Sequence, residues 1–289
     1  MLPSTTPPPF EMDGRTLDFS VPRIMGVINA TPDSFYGGSR VDQAKQAAAT
    51  ALKMVDEGAD LLDIGGQSSR PGAKTVGTRA ECERILPVIE EIRAVLPHHP
   101  LSVDTYHSVV ASRALDAGAD MVNDIGAALM DPQMEDLMAE RNVPYILMHM
   151  QGTPESMQNR PEYGSVTAEV SEFLEHRLLA LREKGVSQIG VDPGFGFGKS
   201  VEHNYQLLDT LGQLGEFGVP ILAGLSRKSM IYKVLESSPE QALNGTSVLH
   251  AWALDRGAHI LRVHDVAEAA ECVKLHCALS MSRLNPTDD

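Results

Sequence analysis

Cysteine, positive charge and long apolar runs are all scarce in this 289-residue chain, and each shortage closes off a class of function. The three cysteines, Cys82, Cys272 and Cys277, stand at no metal-ligand spacing, and an odd number supports no disulfide framework. They read as reduced structural thiols. Lys and Arg total 24 against 39 Asp and Glu, a net charge of −15. So acidic a chain lacks the basic footprint of a general nucleic-acid binder and is not drawn to an anionic membrane surface. An anionic substrate must be met by a few placed cations. No apolar run approaches the roughly 18 residues of a membrane span. The start, MLPSTTPPPF, carries neither the basic nor the apolar segment of a signal peptide, so a cytoplasmic protein is expected.

What is present is a regular alternation. After a Pro-rich stretch, read as a disordered arm over 1–11, Asp13-Gly14 sits between short alternating segments and predicts a β-hairpin. Eight short apolar runs follow, at Ile24–Ile28, Leu61–Ile64, Leu101–Val103, Met121–Val122, Tyr145–Met148, Ile189–Val191, Ile221–Ala223 and Ile260–Val263. Helical periods lie between them. Ala44, Ala47, Ala48, Ala51, Leu52 and Val55, for example, form one apolar stripe. Gly58-Ala59-Asp60, Gly118-Ala119-Asp120 and Gly257-Ala258-His259 place the same punctuation before three of the runs, where a helix must end. Such recurrence marks a repeated β–α unit. Eight of them predict an α/β fold, a (β/α)8 barrel, as one domain over 12–282 with a flexible tail at 283–289. An open doubly wound sheet is the alternative.

In such a barrel chemistry lies at the C-terminal ends of the strands. Those ends carry Asn29, Asp63, Asp104, Asn123, His149, Asp192, Ser226 with Arg227 and Lys228, and Arg262 with His264. Asp63 is the weakest candidate and reads as a residue that holds its loop. Asp131 reads as a helix cap without a functional role. Asp104, Asn123 and Asp192 supply acceptors and an amide that suit a flat heterocycle bearing amino and N–H donors. Lys228, Arg262 and His264 supply positive charge. Arg262 and His264, two apart on a strand, would point the same way and suit a phosphate or diphosphate. Two Gly- and Pro-rich loops, 29–38 and 65–73, read as movable lids. Gly198-Lys199-Ser200 imitates a phosphate loop, but Pro193 stands where that motif needs glycine.

The strings MGVINATPDSF, DIGGQSSRPGA, SVDT, NDI, LMHMQGTPESMQ, DPGFGFGKSVEHNYQLL, SRKSMI and RVHDV occur in the order found in the dihydropteroate synthase family, which the chain resembles from about Met25 to Asp265. The resemblance implies a barrel, a homodimer, and condensation of 6-hydroxymethyl-7,8-dihydropterin diphosphate with p-aminobenzoate to 7,8-dihydropteroate and pyrophosphate. Sulfonamides imitate the aminobenzoate. It further implies that Asp104, Asn123, Asp192 and Lys228 hold the pterin between Met148 and Phe197. Asn29, Ser69, Arg70, Arg262 and His264 would meet the diphosphate, Asn29 with a magnesium ion. Phe35, Ser69, Pro71 and Ser229 would form the aminobenzoate site. Lys228, Arg262, His264 and Arg70 are thereby implied as the catalytic set. Gln67 and Ser69 depart from the commoner GGESTRPG pattern, and Gly37 stands where the family often has Asp. A pterin-dependent corrinoid methyltransferase and a non-catalytic pterin-binding paralogue are the rival readings.

Overall fold

The computed structural model describes residues 6–31, 40–67, 75–154, 157 and 161–284. A hairpin of β1 (Phe10–Met12) and β2 (Arg15–Leu17) comes first, turning through Asp13 and Gly14, both at positive φ. The eight apolar runs become eight parallel strands: β3 (Arg23–Asn29), β4 (Leu61–Gly65), β5 (Leu101–Asp104), β6 (Met121–Asp124), β7 (Tyr145–Met148), β8 (Ile189–Asp192), β9 (Leu222–Ala223) and β10 (Ile260–Val263). They hydrogen-bond in the order β8-β7-β6-β5-β4-β3-β10-β9, and a parallel bridge between Val191 and Ile221 joins the two ends. Helices α1 (Arg40–Asp56), α2 (Thr78–Val95), α3 (Ser108–Asp116), α4 (Gln133–Arg141), α5 (Val166–Glu183), α6 (Val201–Asp209), α7 (Ser229–Tyr232), α8 (Leu243–Asp255) and α9 (Val266–Leu284) follow the strands.

The punctuation before the strands has a physical purpose. Gly58, Gly118 and Gly257 all take positive φ, at 107°, 111° and 89°, where a side chain would be strained. The residue two further on accepts an N–H at the start of the neighbouring strand. Asp60 takes Ile24 N–H at 2.8 Å, Asp120 takes Leu101 N–H at 2.8 Å, and His259 Nδ1 takes Ile221 N–H at 3.2 Å. One device, used three times, satisfies backbone donors at the closed end of the barrel.

The hairpin closes that end. Phe10, Met12, Leu17 and Phe19 pack on Met25, Leu61, Met121, Ile146, Leu222 and Ile260, which point into the barrel. Phe10 and Phe19 meet edge-on at 5.1 Å. The first strand therefore starts inside the stretch read as a disordered arm, because Phe10 is a buried plug residue. Two further differences are local. Leu52 is 40% exposed, since the buried face of α1 runs through Ala44, Ala47, Ala51 and Met54. Asp131 caps as expected and does so twice, accepting from Gln133 N–H at 3.1 Å in α4 and from Ser108 N–H at 2.8 Å at the start of α3.

Candidate active site

At the open end, β4, β5, β6, β8 and β10 bring their polar residues to one place. Asp63 is fully buried, and its Oδ2 accepts from Asn123 Nδ2 at 3.0 Å and from Arg262 Nε at 2.6 Å. Arg262 Nη2 donates to Asp104 Oδ2 at 2.7 Å. One guanidinium thus ties three strands together. Asp192 Oδ1 accepts from Gly194 N–H at 2.7 Å, which pins the turn after β8. Lys228, entering α7, donates to the Phe195 carbonyl and lies 4.7 Å from the Phe197 ring centre. Gly224 leaves room between them: a Cβ there would stand 3.6 Å from Lys228 Nζ and 3.9 Å from Asp192 Oδ2. Met148 and Phe197 pack with Tyr106, Ile125 and Met157 in a small apolar cluster of their own. Polar groups on one side and an apolar wall on the other describe a slot for a flat polar ring.

Burial governs the charges here. It pushes the Asp104 carboxyl up to about 7, against the pull of Arg262 and with Asp63 adding to the rise. It raises Asp192 as well, opposed by Lys228. It lowers Lys228 to about 8, with Asp192 opposing. Burial also disfavours charge on Arg262, but Asp63 and Asp104 outweigh it and hold the guanidinium protonated. Asp63, Asp104 and Asp192 face Lys228 and Arg262, three carboxyls to two cations, and burial pushes two of the three toward their neutral form.

Residues 25–264 match the family model described as pterin binding enzyme. The chain belongs to that family. It is 42% identical over 277 residues to the dihydropteroate synthase of Synechocystis sp., covering 94% of this chain and 96% of that one. The identity to the dihydropteroate synthase of Escherichia coli is 40% over 264 residues, covering 91% and 93%. Among solved structures, Xanthomonas albilineans dihydropteroate synthase with 4-aminobenzoic acid is similar with a TM-score of 0.89 at 44% identity, covering 95% of this chain and 99% of that one. The enzyme from the same organism in complex with 7,8-dihydropteroate gives a TM-score of 0.84 at 42% identity, covering 94% and 99%.

Against the family's pattern, the structure brings Asp104, Asn123, Asp192, Lys228, Met148 and Phe197 together. It redistributes several others. Arg262 is not an anion anchor standing alone, because it is ion-paired to Asp63 and Asp104. Arg262 and His264 do not share a strand direction either: β10 ends at Val263, and the exposed His264 pairs through Nδ1 with Ser226 Oγ at 3.0 Å. Arg227, at positive φ, turns from the mouth to Asp265, with two contacts at 2.8 Å. His149 is buried beside Lys199 and edge-on to Phe173 at 4.9 Å. Ser229 does open a helix, but α7 is one turn of four residues, too short for an appreciable dipole. Asn29 ends β3 half-buried, at the rim. Phe35, Gly37, Ser69, Arg70 and Pro71 lie outside the described residues. Asp63, read as a loop holder, is instead the acceptor on which Asn123 and Arg262 converge, and its Oδ1 is buried without a hydrogen-bond partner.

Among the described residues no group of three His, Cys, Asp or Glu is placed to hold a metal ion. Among the described residues, Asn29 at the end of β3 offers an amide oxygen, a hard ligand of the kind magnesium takes. No helix among the described residues is long and apolar enough to cross a membrane.

Proposed function

We propose that this chain is a dihydropteroate synthase, joining 6-hydroxymethyl-7,8-dihydropterin diphosphate to p-aminobenzoate with release of pyrophosphate. The observation that carries the reading is the buried slot of Asp104, Asn123, Asp192 and Lys228 against Met148 and Phe197, in a chain whose relatives with that name match it nearly end to end. Asp192 and Asp104 accept from the ring's N–H and amino groups, Asn123 offers both polarities, and Lys228 donates to the carbonyl side. In the reaction the methylene C–O bond breaks and its electron pair leaves on the diphosphate. The amine nitrogen of aminobenzoate then forms the C–N bond and gives up one proton. Carboxylate charge in the slot would favour a cationic methylene during that exchange. No protein nucleophile is required, and a neutral aniline needs no strong base.

Magnesium bound with the diphosphate would neutralise its charge, and Asn29 is the residue to hold it. Arg262 adds positive charge at the mouth from within its pairs to Asp63 and Asp104, and His264 adds a ring nitrogen beside it. Arg70, Ser69, Phe35 and Pro71 from the two loops, with Ser229, complete the diphosphate and aminobenzoate sites. A corrinoid methyltransferase would use a similar ring pocket, but it has no use for those loops. The protein acts in the cytoplasm as a homodimer. Val248 and Trp252 on α8, and Leu275, Leu279 and Met281 on α9, leave an apolar face exposed on two helices packed together. Incubation with the dihydropterin diphosphate, aminobenzoate and magnesium should yield dihydropteroate and pyrophosphate in equal amounts. Binding without product would mark a non-catalytic relative instead.

A further inference from the structure

The lysine of Gly198-Lys199-Ser200 has a destination that no phosphate loop would give it. Lys199 is buried. Its Nζ lies 2.9 Å from His149 Nδ1, 2.9 Å from the Gly194 carbonyl oxygen, 3.0 Å from that of Phe197 and 3.3 Å from that of His149. None of these partners is a carboxylate. An ammonium carries three donors and no acceptor, so a cage of neutral acceptors matches it. Burial, helped by the Lys199 charge, holds His149 down at about 3, so its ring is neutral and Nδ1 accepts. Burial pulls Lys199 itself down to about 7, and the Asp192 charge opposes that pull.

A buried ammonium is costly, so the turn it serves must need it. That turn runs from Asp192 to Lys199 through Gly194, Gly196 and Gly198, at φ 70°, 82° and 62°. It passes so close to the end of β7 that a Cβ on Gly194 would stand 1.9 Å from the His149 carbonyl oxygen. Carbonyls turned inward at such a crossing need donors. That of Phe197 takes its donor from Lys199, that of Gly194 from Lys199 and from the Phe197 N–H at 3.1 Å, and that of Phe195, between them, from Lys228. The turn is clamped by two lysines, one in the slot and one behind it.

We infer that Lys199 is a positioning residue for the ring pocket: by joining the end of β7 to the turn after β8, it holds Met148, Phe197 and Asp192 in register. The inference rests on the pterin reading above. Lys199→Met keeps the stem and removes every donor. Calorimetric titration of the full chain with 6-hydroxymethylpterin should show affinity falling about tenfold or more, the scale of a lost charge-assisted hydrogen bond. Affinity for inorganic pyrophosphate should stay within about twofold, since the cage touches no residue of the anion side. In turnover, KM for the pterin diphosphate should rise while KM for aminobenzoate holds. His149→Leu and His149→Asn test the cage from its other side and serve also where Lys199→Met does not fold. The Leu variant deletes an acceptor and should weaken pterin binding, and the Asn variant restores an acceptor and should recover it. Unchanged pterin affinity in folded Lys199→Met, an equal loss for pterin and pyrophosphate, or a His149→Leu protein identical to the parent would overturn the inference. A parent chain that binds no hydroxymethylpterin would remove the pterin reading and this inference together, whereas a parent that binds it beside an unaffected variant removes this inference alone.

Discussion

Arg262→Ala tests how the mouth of the barrel is held, because the side chain has two candidate duties. As a pure anion anchor its loss would cost diphosphate affinity and little else. The structure predicts more. Nε and Nη2 make bonds of 2.6 and 2.7 Å to Asp63 and Asp104, and the alanine variant would leave both carboxylates buried without that partner. Breaking a buried pair by removing one member costs roughly 3–5 kcal/mol. Arg262 keeps about a fifth of its side chain exposed, so the lower half of that range applies. At about 2–4 °C per kcal/mol in domains of this class, the melting temperature should fall by about 6–16 °C. Pterin affinity should fall with it, since Asp104 loses the partner that holds its carboxylate in place. Adding Asp104→Asn to the variant should recover part of the stability, because one of the two stranded charges is then gone. Thermal unfolding, with calorimetric titration by hydroxymethylpterin and by pyrophosphate, reads all three effects. A variant that melts within about 2 °C of the parent and loses pyrophosphate affinity alone would refute the strut and restore the simple anchor.

Asp192→Asn should keep the Gly194 bond and turn the other oxygen into a donor facing ring N–H groups, costing on the order of 1–3 kcal/mol of pterin affinity; calorimetry showing no change would make Asp192 structural. Stability should rise with pH between about 4 and 6.5, because burial holds His149 at about 3 and His250 and His259 at about 4 in the folded chain. The unfolded chain binds those protons up to about 6.5, so acid favours unfolding. Asp104, raised to about 7, acts in the opposite sense, losing stability from about 4 upward as its folded form resists ionisation. His259→Asn keeps an acceptor for Ile221 and should reduce the pH slope by about one proton in denaturant titrations; an unaltered slope would show that His259 is not held neutral. Aminobenzoate should bind the free protein negligibly and bind clearly once pyrophosphate and magnesium are added, as a ligand shifts a loop only by its differential affinity; tight binding to the free protein by calorimetry would show a preformed site.

Local signals in the chain carried far in this protein, and long-range pairings did not. Each strand was legible because burial on both faces of a barrel wall makes a short unbroken apolar run. The Gly-Ala-Asp punctuation was legible because a left-handed helix end is written in one residue. The polar residues that gather at the open end are legible as breaks after such runs. The ion pairs of Arg262 are not legible, because its partners lie 199 and 158 residues away, and a strand alternation says which way a side chain points but not what it meets. Asp63 was undervalued for the same reason: its importance lies in Asn123 and Arg262 arriving at one oxygen. Lys199 was illegible in a different way. Its neighbours imitate a motif whose lysine reaches out to phosphate, yet three left-handed glycines turn the chain so that this lysine reaches in. The two lysines around the turn after β8 therefore divide the labour by depth. Lys228, at about 8, sits in the slot beside Asp192 with one carbonyl partner, whereas Lys199, at about 7, has only neutral partners within hydrogen-bonding reach and serves the backbone. An ammonium can serve a ligand only with the donors its backbone partners leave over, and depth in the fold, which no local pattern records, decides which of the two lysines that is.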